Sequence, residues 1–147
     1  MAATRRADVT WEGDLLSGGG VVTGGTSRSF SALPVSWASR TESAQGKTSP
    51  EELLAAAHAS CFAMALSFGL AGAGKPPKKL EVSAAVTFDK VEAGWRVTSS
   101  AITVRGNVPG LDAAAFRKAA EEAKDGCPIS QALKGNVKLS VEASLLG

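Results

Sequence analysis

Residues 49–67 read SPEELLAAAHASCFAMALS, and this stretch decides the fold. Ser49 is a typical helix N-cap, Pro50 suits the first helical position, and Glu52 follows the cap by three residues, as in a capping box. No Asp, Glu, Lys or Arg occurs in residues 53–74. The sequence therefore predicts a long helix that is uncharged on every side.

This central helix, predicted over residues 49–74, is long enough to cross a membrane, because about 20 apolar residues can span a bilayer. Its composition argues against insertion, since most of its residues are Ala, Ser and Gly and a His stands at position 58. A helix that is apolar on every side must be enclosed on every side. One chain of 147 residues offers too little cover. We therefore predict a buried helix, no membrane span and a partner subunit that completes the core.

The chain before this helix has the pattern of a β-meander. Apolar and polar residues alternate over residues 7–11, which predicts a half-buried strand. Glycines then predict a hairpin that leads to a second strand near residues 21–23. A third strand is predicted through Leu33, Val35 and Trp37. Residues 1–48 are thus expected to form a meander followed by a polar loop.

The chain after the helix, residues 75–147, begins with a predicted β-hairpin. Apolar residues alternate over residues 80–88, and turn residues precede Trp95. In the returning strand the apolar positions change from odd to even numbers, which predicts a bulge of one residue near Ser99 and Ser100.

Two helices and a last strand are predicted next. Asp112 is the expected N-cap of a helix that ends at Gly126, and Pro128 opens a short helix that runs to about Leu133. The last strand covers residues 137–141. Because strands and helices are grouped rather than strictly alternating, the predicted class is α+β.

The amino-acid composition is typical of a globular protein, and we predict one domain over residues 1–147. Hydrophobic residues make up 44% and charged residues 20% of the chain, and the net charge is +2. No basic cluster of the kind that binds nucleic acid is present, so we expect no nucleic-acid partner. The N-terminus lacks the pattern of a signal peptide, which predicts a cytoplasmic protein.

The two cysteines, Cys61 and Cys127, are too few for a secreted disulfide scaffold and wrongly spaced for a structural zinc site. They are either inert or chemically active. Buried cysteine is common as a small apolar residue, and spacing alone favours that interpretation for Cys61. Cys127 lies at the predicted N-cap of the short helix, where backbone N–H groups favour a thiolate, and this position indicates a redox-capable thiol.

The single histidine, His58, precedes Cys61 by three residues. A zinc site made from His58 and the two cysteines would lack a fourth ligand. We therefore predict a buried, hydrogen-bonded histidine, with no metal and no other cofactor.

The motifs together resemble a known family. Residues 49–67 are similar to the cysteine-bearing central helix of the family of the osmotically inducible protein C and the organic hydroperoxide resistance protein (OsmC/Ohr), and CPISQAL at residues 127–133 resembles its second cysteine motif. WEGD at residues 11–14 resembles its first strand, and VEAGW at residues 91–95 its hairpin. His58 stands where the organic hydroperoxide resistance branch has different residues, so the chain is more similar to the OsmC branch.

The resemblance implies an OsmC-like α+β fold, in which antiparallel sheets pack on the buried central helix of an intertwined homodimer. It also implies a thiol-dependent peroxidase, with Cys61 as the peroxidatic cysteine, Cys127 as the resolving cysteine and a disulfide between them. Arg40 matches the catalytic arginine of the family, and Glu51 matches the glutamate that holds it. Arg28 is the alternative arginine.

The implied substrate is an organic hydroperoxide, and the implied partner is an external dithiol reductant, such as one of the dihydrolipoyl type, in a response to peroxide or osmotic stress. Apolar residues near Cys61 favour a substrate with an apolar tail. These residues are Leu53, Leu54, Phe62, Met64 and, from the second helix, Phe116, although for Phe62 and Met64 plain core packing is the more ordinary role. Two alternatives remain: a non-catalytic binding protein of the same fold, and a thiol redox sensor.

Overall fold

The computed structural model describes residues 1–146 and groups the chain into two compact units. The first unit, Met1–Leu53, contains a sheet and a short helix: β1 (Ala7–Glu12), β2 (Gly19–Gly24), β3 (Leu33–Val35) and α1 (Trp37–Thr41). The long helix α2 (Pro50–Gly72) begins in this unit and continues into the second. The second unit adds β4 (Lys79–Val91), β5 (Gly94–Asn107), α3 (Ala113–Gly126), α4 (Pro128–Leu133) and β6 (Lys138–Leu145). The predicted α+β class is confirmed.

The first unit contains the predicted meander, because β1, β2 and β3 pair in this order and antiparallel. The prediction that β3 runs through Trp37 is wrong. Ser36 accepts a hydrogen bond from the Ser39 backbone N–H at 3.1 Å, and Ser39 Oγ accepts one from the Ser36 N–H at 3.0 Å. This capping box starts α1 at Trp37. Arg40 therefore lies on a helix and not in a loop.

Strand β1 is more exposed than its alternation predicts. All six of its residues are exposed, with Val9 at 62% and Trp11 at 40% of their full accessible surface. The strand lies at the edge of the sheet and pairs with β2 alone. The prediction of a half-buried strand is therefore wrong for the single chain, because the alternation identifies an apolar face without identifying what covers it.

The second unit has a sheet in the order β4, β5, β6. The predicted hairpin of β4 and β5 is confirmed, and so is the bulge: Thr87 pairs with Ser99 and Phe88 with Val97, which leaves Thr98 as the extra residue. The bulge sets the phase of β5, so that Ser100 and the following even-numbered residues face the core.

The expectation of wholly antiparallel sheets is wrong for β6, which pairs parallel to β5. Helices α3 and α4 connect the two strands, and such a crossover returns the chain to the same end of the sheet, so that the next strand runs parallel. As predicted, Asp112 caps α3 by accepting a hydrogen bond from the Ala115 N–H at 2.8 Å. The N-cap residue of α4 is Cys127.

Helix α2 buries one stripe of side chains in the chain. Phe62, Leu66 and Leu70 pack in a cluster with residues of β5 and α3, so this face belongs to a protein core. The opposite face carries Met64 and Phe68, which are 72% and 84% exposed. Among the described residues, α2 is the one helix that is long and apolar enough to span a membrane. Within the second unit, α2 is thus buried on one face and exposed on the other.

Candidate functional site

The structure brings the two cysteines together. Cys61 lies in the middle of α2, and Cys127 lies at the junction where α3 ends and α4 begins. Both are free thiols, and their side chains are within hydrogen-bonding contact. Cys127 is wholly buried, whereas Cys61 is half-buried. The pair therefore has one sulfur that faces outward and one that does not.

The surroundings of Cys61 favour its protonated form. Burial raises the pKa of the Cys61 thiol, and the hydrogen bond with Cys127 raises it further. The backbone N–H of Ile129, in α4, donates a hydrogen bond to the Cys61 sulfur and acts in the opposite direction. A thiolate at Cys61 would therefore need an additional positive charge nearby.

Cys61 opens onto a cavity of about 720 Å³ between α2 and α3. Apolar side chains line most of it, including Met64 and Phe68, while Lys118 and Glu122 contribute polar groups. Phe62 and Phe116 were possible substrate contacts from the sequence, but both are wholly buried core residues. Met64 remains beside the cavity.

His58 has the environment that the sequence predicts. It is wholly buried, its Nδ1 lies 2.7 Å from Ser100 Oγ, and its Nε2 lies 2.8 Å from Ser130 Oγ. Burial lowers the pKa of the imidazole, so the ring is neutral near pH 7. Both ring nitrogens are therefore occupied by serine hydroxyls. The two serines are the residues around the site that the sequence analysis missed.

Arg40 and Glu51 form a partly buried, bidentate ion pair. Arg40 Nε lies 3.1 and 3.0 Å from Glu51 Oε1 and Oε2, and Nη2 lies 2.8 Å from Oε1. Glu51 is 7% exposed and lies in the first turn of α2, where the helix dipole favours a negative charge. The Arg40 Cζ lies 5.9 Å from the centre of the Trp37 ring, a cation–π distance. Position and orientation of the guanidinium are therefore fixed.

The alternative arginine, Arg28, has a different environment. It lies exposed in the turn after β2, with a positive φ of 60°, and its backbone N–H donates to Gly24 O at 2.9 Å. Within the first unit, Arg40 is thus the arginine that pairs with Glu51.

A second cavity, of about 330 Å³, lies beside Arg40 in the first unit. Its walls are mostly apolar and include Trp11, Leu15, Trp37 and Leu53. An apolar cavity with a fixed guanidinium suits a ligand that has an apolar body and a polar end.

No group of three or more His, Cys, Asp or Glu side chains that could hold a metal ion occurs among residues 1–146. Glu52, expected to complete a capping box, instead accepts a hydrogen bond from Thr48 Oγ1 at 2.6 Å. Ser49 caps the helix as predicted, since its Oγ accepts from the Glu52 N–H at 3.1 Å.

Comparison with known proteins agrees with the resemblance found in the sequence. The family model of the OsmC-like proteins matches residues 42–142. Peroxiredoxin OsmC of Escherichia coli K12 is 40% identical over 142 residues, which are 97% of this chain and 98% of that protein. An organic hydroperoxide resistance protein of Xanthomonas axonopodis pv. citri is 30% identical over 95 residues, which are 64% of this chain and 65% of that protein.

Solved structures share the fold. The crystal structure of the organic hydroperoxide resistance protein OhrB of Bacillus subtilis superposes with a TM-score of 0.73 at 25% identity and covers 94% of this chain and 97% of that one. With the family model, the curated relatives and this structure in agreement, the chain belongs to the OsmC family of proteins.

Proposed function

We propose that this protein is a thiol-dependent peroxidase that reduces organic hydroperoxides to alcohols. The observation that carries the proposal is the contact between an accessible and a buried thiol, Cys61 and Cys127. The names of the relatives, a peroxiredoxin and organic hydroperoxide resistance proteins, support the same activity. They also support a role in defence against peroxide stress.

In the proposed mechanism the Cys61 thiolate attacks one oxygen of the hydroperoxide. The O–O bond breaks, the alcohol leaves with a proton, and Cys61 becomes a sulfenic acid. The Cys127 thiol then attacks the Cys61 sulfur, which releases water and forms the disulfide. An external dithiol, for example one of the dihydrolipoyl type, reduces the disulfide and closes the cycle.

Arg40 is proposed as the catalytic arginine, and Glu51 as the residue that positions it. Because burial raises the pKa of the Cys61 thiol, the reaction requires a cation that stabilises the thiolate. A guanidinium that is fixed by two carboxylate oxygens can supply this charge and can donate hydrogen bonds to a peroxide oxygen. The apolar cavities beside Arg40 and Cys61 favour substrates with apolar tails over hydrogen peroxide.

The proposal includes an intertwined homodimer in which a second copy covers the exposed apolar face of α2. Met64 and Phe68 project from that face, and β1 exposes a further apolar edge. We also propose that residues 1–147 act as one domain and that the protein works in the cytoplasm. Two free cysteines, too few for a disulfide scaffold, suit a reducing compartment.

The proposed function can be tested by intact-mass and free-thiol analysis before and after one equivalent of cumene hydroperoxide. We expect the wild type to lose both thiols to one internal disulfide. Cys127→Ser should carry a sulfenic acid at Cys61 after one equivalent and accumulate sulfinic acid after a second equivalent, and Cys61→Ser should form no internal disulfide. Repeated turnover with a dithiol reductant distinguishes an enzyme from a sensor, which oxidises once. Unreacted thiols in the wild type would instead indicate a binding protein.

A further inference from the structure

The buried cluster of His58, Ser100 and Ser130 has no role in the peroxidase mechanism described above. Each member is at most 1% exposed, and the three come from α2, β5 and α4. The imidazole lies between the two hydroxyls, at 2.7 Å from Ser100 and 2.8 Å from Ser130. A buried hydrogen-bond bridge therefore connects the helix of Cys61, the central strand of the sheet and the helix that Cys127 caps.

Two members of the bridge are each three residues from one of the cysteines along the chain. His58 and Cys61 are three residues apart on α2, so they lie on neighbouring positions of one face. Ser130 is likewise three residues after Cys127. His58 contacts Ser130 and Cys61 contacts Cys127, so two adjacent pairs join the same two segments.

We propose that His58 is a positioning residue, which holds the start of α4 against α2 through Ser130 while the Cys61–Cys127 pair changes its bonding. The inference depends on the proposed peroxidase function. It extends that function by assigning the control of the second chemical step, disulfide formation, to a residue that touches neither peroxide nor the reacting sulfur atoms.

The need for such a residue follows from the chemistry of the pair. When Cys61 becomes a sulfenic acid, its hydrogen bond with Cys127 is lost and an oxygen atom must fit near the two sulfurs. The next step forms an S–S bond of about 2.05 Å, and this step fails if Cys127 moves away. The alternative reaction is attack of the sulfenate on a second hydroperoxide, which releases a second alcohol and leaves sulfinic acid. The His58–Ser130 pair does not change in either reaction and can keep Cys127 in reach.

The form of the imidazole suits this role. A neutral ring has one N–H donor and one nitrogen acceptor, while each serine hydroxyl can donate or accept. One serine can thus donate to the ring as the other accepts from it, and every group in the bridge is paired. Burial lowers the pKa of His58 and maintains this neutral form.

The test compares Ser130→Ala with Ser100→Ala in the full-length protein. Each variant removes one buried hydroxyl from the same imidazole, so both are expected to lose similar thermal stability. Only Ser130→Ala disconnects α4. Each protein is titrated with cumene hydroperoxide, and the ratio of Cys61 sulfinic acid to Cys61–Cys127 disulfide is measured by intact mass. The loss of one hydrogen bond between neutral groups is expected to raise this ratio about three- to ten-fold in Ser130→Ala.

A ratio in Ser130→Ala that equals the wild-type ratio would overturn the inference. So would an equal rise in Ser130→Ala and Ser100→Ala, because loosening of the whole core would then explain both. The wild-type protein separates this failure from failure of the proposed function. If wild-type Cys61 is not oxidised by the peroxide at all, the peroxidase proposal itself is wrong.

Discussion

Arg40 and Glu51 form an ion pair that holds the guanidinium in a fixed position. Breaking an ion pair that has a buried member leaves that buried charge without its partner, which destabilises more than removing both charges. Glu51 is nearly buried while the Arg40 side chain is 29% exposed, so the larger penalty is expected when Arg40 is replaced.

We predict that Arg40→Met and Glu51→Gln are not additive. A double-mutant cycle by urea denaturation should give a coupling free energy of about 1–3 kcal/mol, with the double variant more stable than the two single changes imply. Both single variants should also lower kcat/KM for cumene hydroperoxide. Additive free energies of unfolding would show that the pair does not act as a unit.

His58 makes stability depend on pH in a narrow window. Because burial lowers its pKa in the folded protein, the unfolded chain takes up a proton at a higher pH than the folded chain does. The free energy of unfolding should therefore fall as the pH decreases below about 6.5, by at most about 1.4 kcal/mol per pH unit. His58 is the only histidine, so His58→Asn should remove most of this dependence. Urea denaturation between pH 5 and 8 measures it, and an unchanged slope in the variant would contradict the assignment.

At the scale of elements, the packing of α3 on the sheet depends on one glycine in β5. A Cβ atom at Gly106 would lie 2.6 Å from Cζ of the wholly buried Phe116 ring and 3.2 Å from a Leu80 methyl group. The ring cannot move away without displacing α3, since protein cores are close-packed.

Gly106→Ala is therefore expected to destabilise the protein by about 1–3 kcal/mol. Gly126→Ala is the matched control, because its added methyl group meets no atom within 4 Å and the residue lies in α3. The control should be neutral or stabilising, as alanine favours helix. Adding Phe116→Leu to Gly106→Ala should recover part of the loss. Equal thermal midpoints for the two alanine variants would show that the strand can shift to make room.

At the scale of the whole molecule, the main feature is the apolar face of α2 that is exposed in the single chain. Met64 and Phe68 are more exposed than large apolar residues in a finished core. We predict that Phe68→Glu converts the proposed homodimer into a monomer with lower thermal stability, since a charge buried in an interface is costly. Light scattering measures the change. Ala85→Glu, on the exposed face of β4, is the control and should stay dimeric. If the Phe68→Glu protein is still a dimer, the interface does not include this face of α2.

The sequence best predicts those features that depend on residues close together in the chain. The caps at Ser49 and Asp112 and the position of Cys127 at the start of α4 follow from side chains close in the chain, and the structure has all three. Helix α1 was missed because five residues are too few to show a helical period. The parallel pairing of β6 depends on how α3 and α4 cross the sheet, which no local pattern contains.

The candidate site also contains some features that local sequence predicts and others that depend on residues far apart in the chain. Burial of His58 is predictable from an uncharged helix, but its partners are not, because Ser100 and Ser130 lie 42 and 72 residues away in sequence. Spacing alone favoured an inert Cys61, and it was the resemblance that paired it with Cys127. The salt bridge between Arg40 and Glu51 was also expected from the resemblance, and the structure contains it.

The complete burial of Cys127 has a consequence for how the protein would be returned to its reduced state. An incoming thiolate must approach the sulfur that it attacks along the S–S axis, and Cys61 alone faces an open cavity. A reductant with a single thiol would therefore become attached to Cys61, where the neighbouring Cys127 thiolate can expel it again. In a reductant with two thiols, the second thiol can instead attack the reductant's own first sulfur, which closes a disulfide within the reductant and releases Cys61 as a thiolate. This step can precede attack by Cys127, because the second thiol is present at high effective concentration. If the proposed disulfide forms, accessibility of one sulfur alone would favour a dithiol electron donor over a monothiol. Peptide mapping after a brief reaction of the oxidised protein with a monothiol should locate the adduct on Cys61.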